Sequence, residues 1–194
     1  MHRLFMMLAR AMAMSGGLVL SALIVLTCLS IVGRMLNTAF HGALLQALTP
    51  GFAHWALQAG VGPINGDFEL VEAGIAFAIF AFLPLCQITG GHATVDIFTS
   101  RLSPRADRLL RMVIEVAFAI ALVVIALQLY HGMASKMRSG QTTLLLQFPE
   151  WWAYAASLSG AVIAAVVAVY VAGVRAVEFF TNRMILADVG ESGH

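Results

Sequence analysis

The sequence predicts an all-α integral membrane protein: four transmembrane helices, both termini in the cytoplasm, and a long outer interfacial segment between helices 1 and 2. Three observations carry that prediction. Four charge-free stretches, Ala11 to Gly33, Ala73 to Gly91, Val116 to Ser135 and Trp151 to Val174, run for 23, 19, 20 and 24 residues. At about 1.5 Å per residue, each can cross a hydrocarbon core of roughly 30 Å. The chain is 60% hydrophobic and 11% charged, whereas soluble domains carry about 25% charge. Finally, eight of the eleven Lys and Arg residues fall in the N-terminal tail (Arg3, Arg10), the second connection (Arg101, Arg105, Arg108, Arg111) and the C-terminal tail (Arg175, Arg183), against Arg34, Lys136 and Arg138 elsewhere. Cations concentrate on the cytoplasmic side of spanning helices, so this bias turns both ends inward.

The first span is expected over about 11–33. Arg3 and Arg10 before an apolar run suggest a signal peptide, but a cleavable core is only about 7 to 15 residues and no small-residue cleavage site precedes Arg34. It is read as a retained span. The segment over about 35–68 carries Leu44, Leu45, Leu48, Phe52, Trp55 and Leu57, and Thr49-Pro50-Gly51 divides it into two short arms lying along the outer interface. A fifth crossing is the competing reading; Pro50, Gly51, His41 and His54 oppose it, and it would invert the charge bias downstream.

The second span is expected over about 70–91, with Pro84 placed to kink it. A cytoplasmic connection, 92–103, follows, and from it into the next helix Ile97, Phe98, Leu102 and Leu109 interleave with Arg101, Arg105 and Arg108, cations suited to anionic headgroups. Ser103 then Pro104 is a good helix start, placing the third span over about 104–135. Trp151 and Trp152 anchor a fourth span over about 150–175, before a polar tail, 176–194. In that span Gly160, Ala164, Ala168 and Ala172 form a small-residue ridge, with Ser157, Ala161 and Ala165 beside it, which lets another helix approach closely.

Polar residues offer little chemistry. Glu115 is the one carboxylate that can enter the bilayer within a helix; a proton or ion role is one reading, but Arg111 one turn earlier and Arg108 two turns earlier on the same face favour a local ion pair. His92 and His131 fall at opposite ends of neighbouring spans, which opposes a shared haem. His41 and His54 lack metal-ligand spacing, Cys28 and Cys86 lie at different depths, and no P-loop, HExxH, GxSxG or dinucleotide fingerprint occurs. The expectation is therefore no cofactor, no metal, no catalytic residue and no nucleic-acid partner. A free-standing cytochrome-like or redox membrane protein remains the alternative.

Motifs along the chain give a more specific reading. Arg34 follows the first span; Glu69-Leu70 with Glu72 opens the second; Gly91, His92, Val95 and Asp96 close it; Leu102, Pro104 and Arg105 follow; and Gly140, Pro149, Trp151 and Tyr154 precede or open the last. In this combination the sequence resembles the small, DctQ-like membrane subunit of TRAP (tripartite ATP-independent periplasmic) transporters of bacteria and archaea. Between Asn37 and Asp67 the chain looks longer than the common pattern.

The resemblance implies a multi-pass protein of the cytoplasmic (inner) membrane that scaffolds a large permease. A periplasmic solute-binding protein would deliver the solute, commonly an organic acid, for uptake driven by an ion gradient. Arg34, Glu69, Glu72, Gly91, His92, Asp96, Gly140, Pro149 and Trp151 are then candidates for family motif or partner interface, with Gly160, Ala164 and Ala168 for helix packing. For Glu69 and Glu72, pairing with a partner's cations stands beside simple stabilisation at a helix N-terminus. For Gly91, His92 and Asp96, a corner held against the large subunit stands beside a self-contained turn.

Overall fold

The computed structural model describes residues 2–42, 47–91 and 104–181. Five helices are present among them: α1 (His2–Phe40), α2 (Pro50–Gln58), α3 (Asp67–Thr89), α4 (Pro104–Ser139) and α5 (Trp151–Thr181). All but α2 are long and apolar enough to cross a membrane. The helices outrun the charge-free stretches, because Arg and Lys at helix ends can still reach water with their heads while their stems lie on lipid. α1 spans 39 residues, starting at His2 and ending at Phe40, roughly 58 Å of helix. α5 continues through Arg175 and Glu178 to Thr181, so the first part of the expected polar tail is helical.

The four long helices stand in a row, in the order α1, α3, α5, α4, each packed mainly on the next, and α1 also reaches α5 where Phe5 stacks on Tyr170 at 4.2 Å. Burial follows this order: 50% of the most apolar stretch of α5 is buried, against 11% for α1 and 17% for α4. Consecutive spans pack antiparallel. Gly16 meets Ala81 and Gly74 meets Leu23 between α1 and α3, while Gly132 meets Tyr154 between α4 and α5. The seam joining the two pairs is parallel, with Gly160 of α5 on Phe80 and Ala81 of α3, and Val167 and Val171 clustered with Ile88 further along.

Small residues set these distances. A Cβ on Gly160 would stand 2.9 Å from the Phe80 Cβ. Ala164, Ala168 and Ala172 of α5 are buried with Ala119 and Leu122 of α4, and Leu83 of α3 packs on that cluster. Without a hydrophobic driving force in lipid, such close van der Waals contact is the main source of cohesion. Pro84 sits buried inside α3, which runs unbroken from Asp67 to Thr89.

Between α1 and α3, Thr49-Pro50-Gly51 opens a helix, with proline in its first turn as the missing N–H allows. α2 buries Ala53 and Ala56 on Phe40 at the end of α1 and leaves Phe52 and Trp55 exposed. The chain then returns along α1, where three residues on one face hold it. Asn37 Nδ2 donates to the Val61 carbonyl at 3.4 Å, Gly33 lets the Gly62 backbone touch the helix, and Ser30 Oγ accepts from the Ile64 N–H at 3.3 Å. Ser30 also donates to the Asp67 carboxylate, which in turn accepts from the Phe68 N–H at 2.7 Å. The first turn of α3 is thereby tied to a fully buried hydroxyl in the last third of α1.

Candidate functional site

At the end of the row where α3 and α5 begin and α4 ends, a cleft of 440 Å³ opens between these helices and the 140–150 loop. Gly140, in the left-handed region at φ +62°, ends α4, and the loop folds back as a narrow hairpin. The Thr143 N–H donates to the Phe148 carbonyl at 3.0 Å, and the Glu150 N–H to the Gln141 carbonyl at 3.1 Å. Thr142 and Pro149 form the bridge between its arms. This turn brings Lys136 beside Glu150, Nζ to Oε2 at 2.6 Å, and Lys136 also donates to Gln141. Pro149 accepts the Trp152 N–H at 3.0 Å, starting α5, whose Trp151 and Trp152 rings meet edge to face.

Two carboxylates of α3 face this cleft, in different states. Glu69 accepts hydrogen bonds from the Leu145 and Leu146 N–H groups, at 2.7 and 2.9 Å, which holds the hairpin tip against the start of α3. Glu69 lies in the first turn of α3, as the helix N-terminus reading expects, and the hairpin amides are partners that neither sequence reading named. Glu72, one turn on, is exposed and has no hydrogen bond or ion pair among the described residues. Thr143 Oγ1 is buried beside the Glu69 carboxylate without well-formed hydrogen-bond geometry. Tyr154 and Ser157 complete the wall.

At the opposite end lies a second polar group, buried rather than open. Gln87 Nε2 of α3 donates to Glu115 Oε2 of α4 at 3.0 Å, and both residues are buried. Arg175 of α5 lies within electrostatic reach of Glu115 and pairs with Glu178, Nη1 to Oε2 at 2.9 Å. The expected Glu115–Arg111 pair does not form. Arg111 turns back to Asp107 at 3.0 Å, while Glu115 points inward, where Gln87 and Arg175 replace water.

The other predicted residues are spread along the row. Arg34 is exposed on α1, within electrostatic reach of Asp67. The glycine that closes α3 is Gly90 rather than Gly91: Gly90 takes the left-handed φ of +62°, which lets the Gly91 N–H reach back to the Cys86 carbonyl at 3.0 Å. His92, Val95, Asp96, Leu102 and Ser103 lie outside the described residues. His131 sits on the exposed side of α4 against Tyr130. Neither Cys28 nor Cys86 is in a disulfide. Among the described residues no group of three or more His, Cys, Asp or Glu could hold a metal.

Sequence reasoning placed Glu69 and Glu72 at a helix start but missed the partners that make a cleft of them: Lys136, Glu150, Tyr154 and Ser157. The available signal was the glycine at 140 and proline at 149, which together mark a turn returning residue 150 to residue 136. For the buried group it missed Gln87, Arg175 and Glu178, whose signal was a charged pair three residues apart in a helix that has to keep it out of lipid.

Residues 23–178 match the family described as tripartite ATP-independent periplasmic transporters, DctQ component. No curated protein and no solved structure matches the chain. The matched region takes in the last part of α1, both polar groups and almost all of α5, and with four helices able to cross a membrane it fits a multi-pass transporter component. The chain belongs to the DctQ family and is the small membrane subunit of a TRAP transporter.

Proposed function

We propose that this subunit braces a large TRAP permease in the bacterial inner membrane, without itself carrying solute. The observation that supports this most is the row of helices. Among the described residues the row encloses no polar cluster at mid-span, and its edge helices α1 and α4 present long runs of exposed apolar side chains. Leu18, Ile24, Val25 and Leu29 on α1 and Ile120, Val124 and Leu127 on α4 can meet lipid or a neighbouring helix. Interfaces in lipid form through such packing, and a rigid layer can hold a second protein in register while that protein moves.

In this reading both termini face the cytoplasm, which the cation bias supports, and the hairpin with its cleft faces the periplasm. A periplasmic binding protein delivers the solute, an organic acid, to the large subunit, and an ion gradient drives uptake. Co-purification from the native membrane tests the reading: a much larger multi-span permease should accompany the tagged chain in fixed ratio. Recovery of the chain alone, under conditions that keep other membrane complexes together, would refute it. Labelling of residues 188–194 from the periplasmic side would refute the orientation.

A further inference from the structure

We propose that the groove between α3 and α4 is a binding site for one phospholipid with a primary-amine headgroup, seated with that headgroup in the 440 Å³ cleft. The groove exists because α3 and α4 both pack along α5 and come together further along, where Leu83 reaches the Ala119 and Leu122 cluster and Gln87 bonds Glu115, leaving them apart at the cleft end. Its walls change character with depth. Ala73, Ala76, Leu129 and Ala153 line most of the deeper part, with Ser157 among them, and Glu69, Glu72, Lys136 and Glu150 line the mouth. A gradient from apolar to charged over about two helical turns at the end of a span matches the passage from acyl chain to headgroup. The three alanines leave room where larger side chains would close the groove.

Charge selects the headgroup. Glu69 is occupied by the Leu145 and Leu146 N–H groups, and Glu150 by Lys136. Glu72 is left exposed, a carboxylate without a partner among the described residues, which favours a cation. An ammonium has three donors, and Lys136 spends two on Glu150 and Gln141, so one remains for a phosphate oxygen. A zwitterion with its ammonium at Glu72 and its phosphate at Lys136 satisfies both. A trimethylammonium cannot donate a hydrogen bond to Glu72, and a headgroup with only negative charge would meet three carboxylates against one cation. The site is independent of the bracing role.

The test is native mass spectrometry of the full-length protein taken from vesicles holding equal phosphatidylethanolamine, phosphatidylcholine and phosphatidylglycerol. The expected result is a single retained phosphatidylethanolamine, favoured over phosphatidylcholine by about tenfold, the worth of a charge-assisted hydrogen bond. Glu72→Gln should bring the two lipids to parity, and Ala76→Phe should remove bound lipid altogether. Phe68→Ala, at a side chain outside the cleft, should change nothing, and circular dichroism should show unchanged helix content in each variant. Equal retention of the lipids by the wild type, preference for phosphatidylglycerol, or undiminished selectivity in Glu72→Gln would overturn the proposal. A photoreactive residue at position 129 in native membranes gives a second readout. Adducts with lipid support the site, and adducts with a larger membrane protein overturn it in favour of a protein-docking groove.

Discussion

The Glu69 carboxylate accepts the Leu145 N–H at 2.7 Å across 76 residues of sequence, pinning the tip of the 140–150 hairpin to the first turn of α3. With Leu146 bound to the other oxygen, one side chain satisfies two successive amides that the hairpin itself leaves open. The tip otherwise offers water or lipid its leucines, Leu144 being 87% exposed.

Removing that clamp should loosen the hairpin and little else. In Glu69→Ala, amide hydrogen exchange at Leu145 and Leu146 should accelerate strongly, while the Thr143 and Glu150 amides, bound within the hairpin, keep more of their protection. Unchanged exchange at both leucines would show that the carboxylate does not hold the tip.

Gly33 should tolerate no side chain. A Cβ there would stand 2.1 Å from the Gly62 carbonyl oxygen, so Gly33→Ala has to push the 61–64 segment off α1. Overpacking of this kind costs about 1–3 kcal/mol. Gly17→Ala, on the same helix with open space around it, is the control and should be neutral or slightly stabilising. Thermal unfolding in detergent, followed by circular dichroism, compares the two.

Gln87 and Glu115 should be energetically coupled. A double-mutant cycle with Gln87→Ala and Glu115→Ala should give a favourable interaction of about 0.6 kcal/mol, the usual scale of a side-chain hydrogen bond between helices in a membrane protein. Strict additivity in unfolding experiments would mean that the two residues act separately.

Arg175 and Glu178 are both largely buried, so breaking the pair should hurt more than deleting it. Arg175→Ala takes the 2.9 Å guanidinium partner from the buried Glu178 carboxylate, a change that costs about 3 kcal/mol at buried pairs, whereas Arg175→Leu combined with Glu178→Leu should recover part of the loss. Folded yield and melting temperature of the single and double variants distinguish these outcomes.

The spans were legible because runs of 19 to 24 uncharged, largely apolar residues are the mark of helices that cross lipid, and the small-residue ridge on α5 was visible within one of them. Their order in the row was not. Gly16, Gly74 and Gly160 look alike in the sequence, and only their partners, Ala81, Leu23 and Phe80, show that α3 lies between α1 and α5. Ser30 reads as an ordinary hydroxyl that bonds its own helix, yet it fastens Ile64 and Asp67 from a distance. Glu115 was visible as a charge in an apolar helix. Its expected partner was wrong because helical spacing shows which residues are near each other and does not show which side a neighbouring helix covers.

The pairing of α1 with α3 and of α4 with α5 bears on how the protein is made. Each pair joins spans adjacent in the chain, so each can close as soon as its second helix leaves the ribosome, before the other half exists. The parallel seam of Gly160 on Phe80 waits until the last helix has been synthesised. Two fragments divided within residues 92–103 and expressed together should therefore assemble into the same structure as the intact chain.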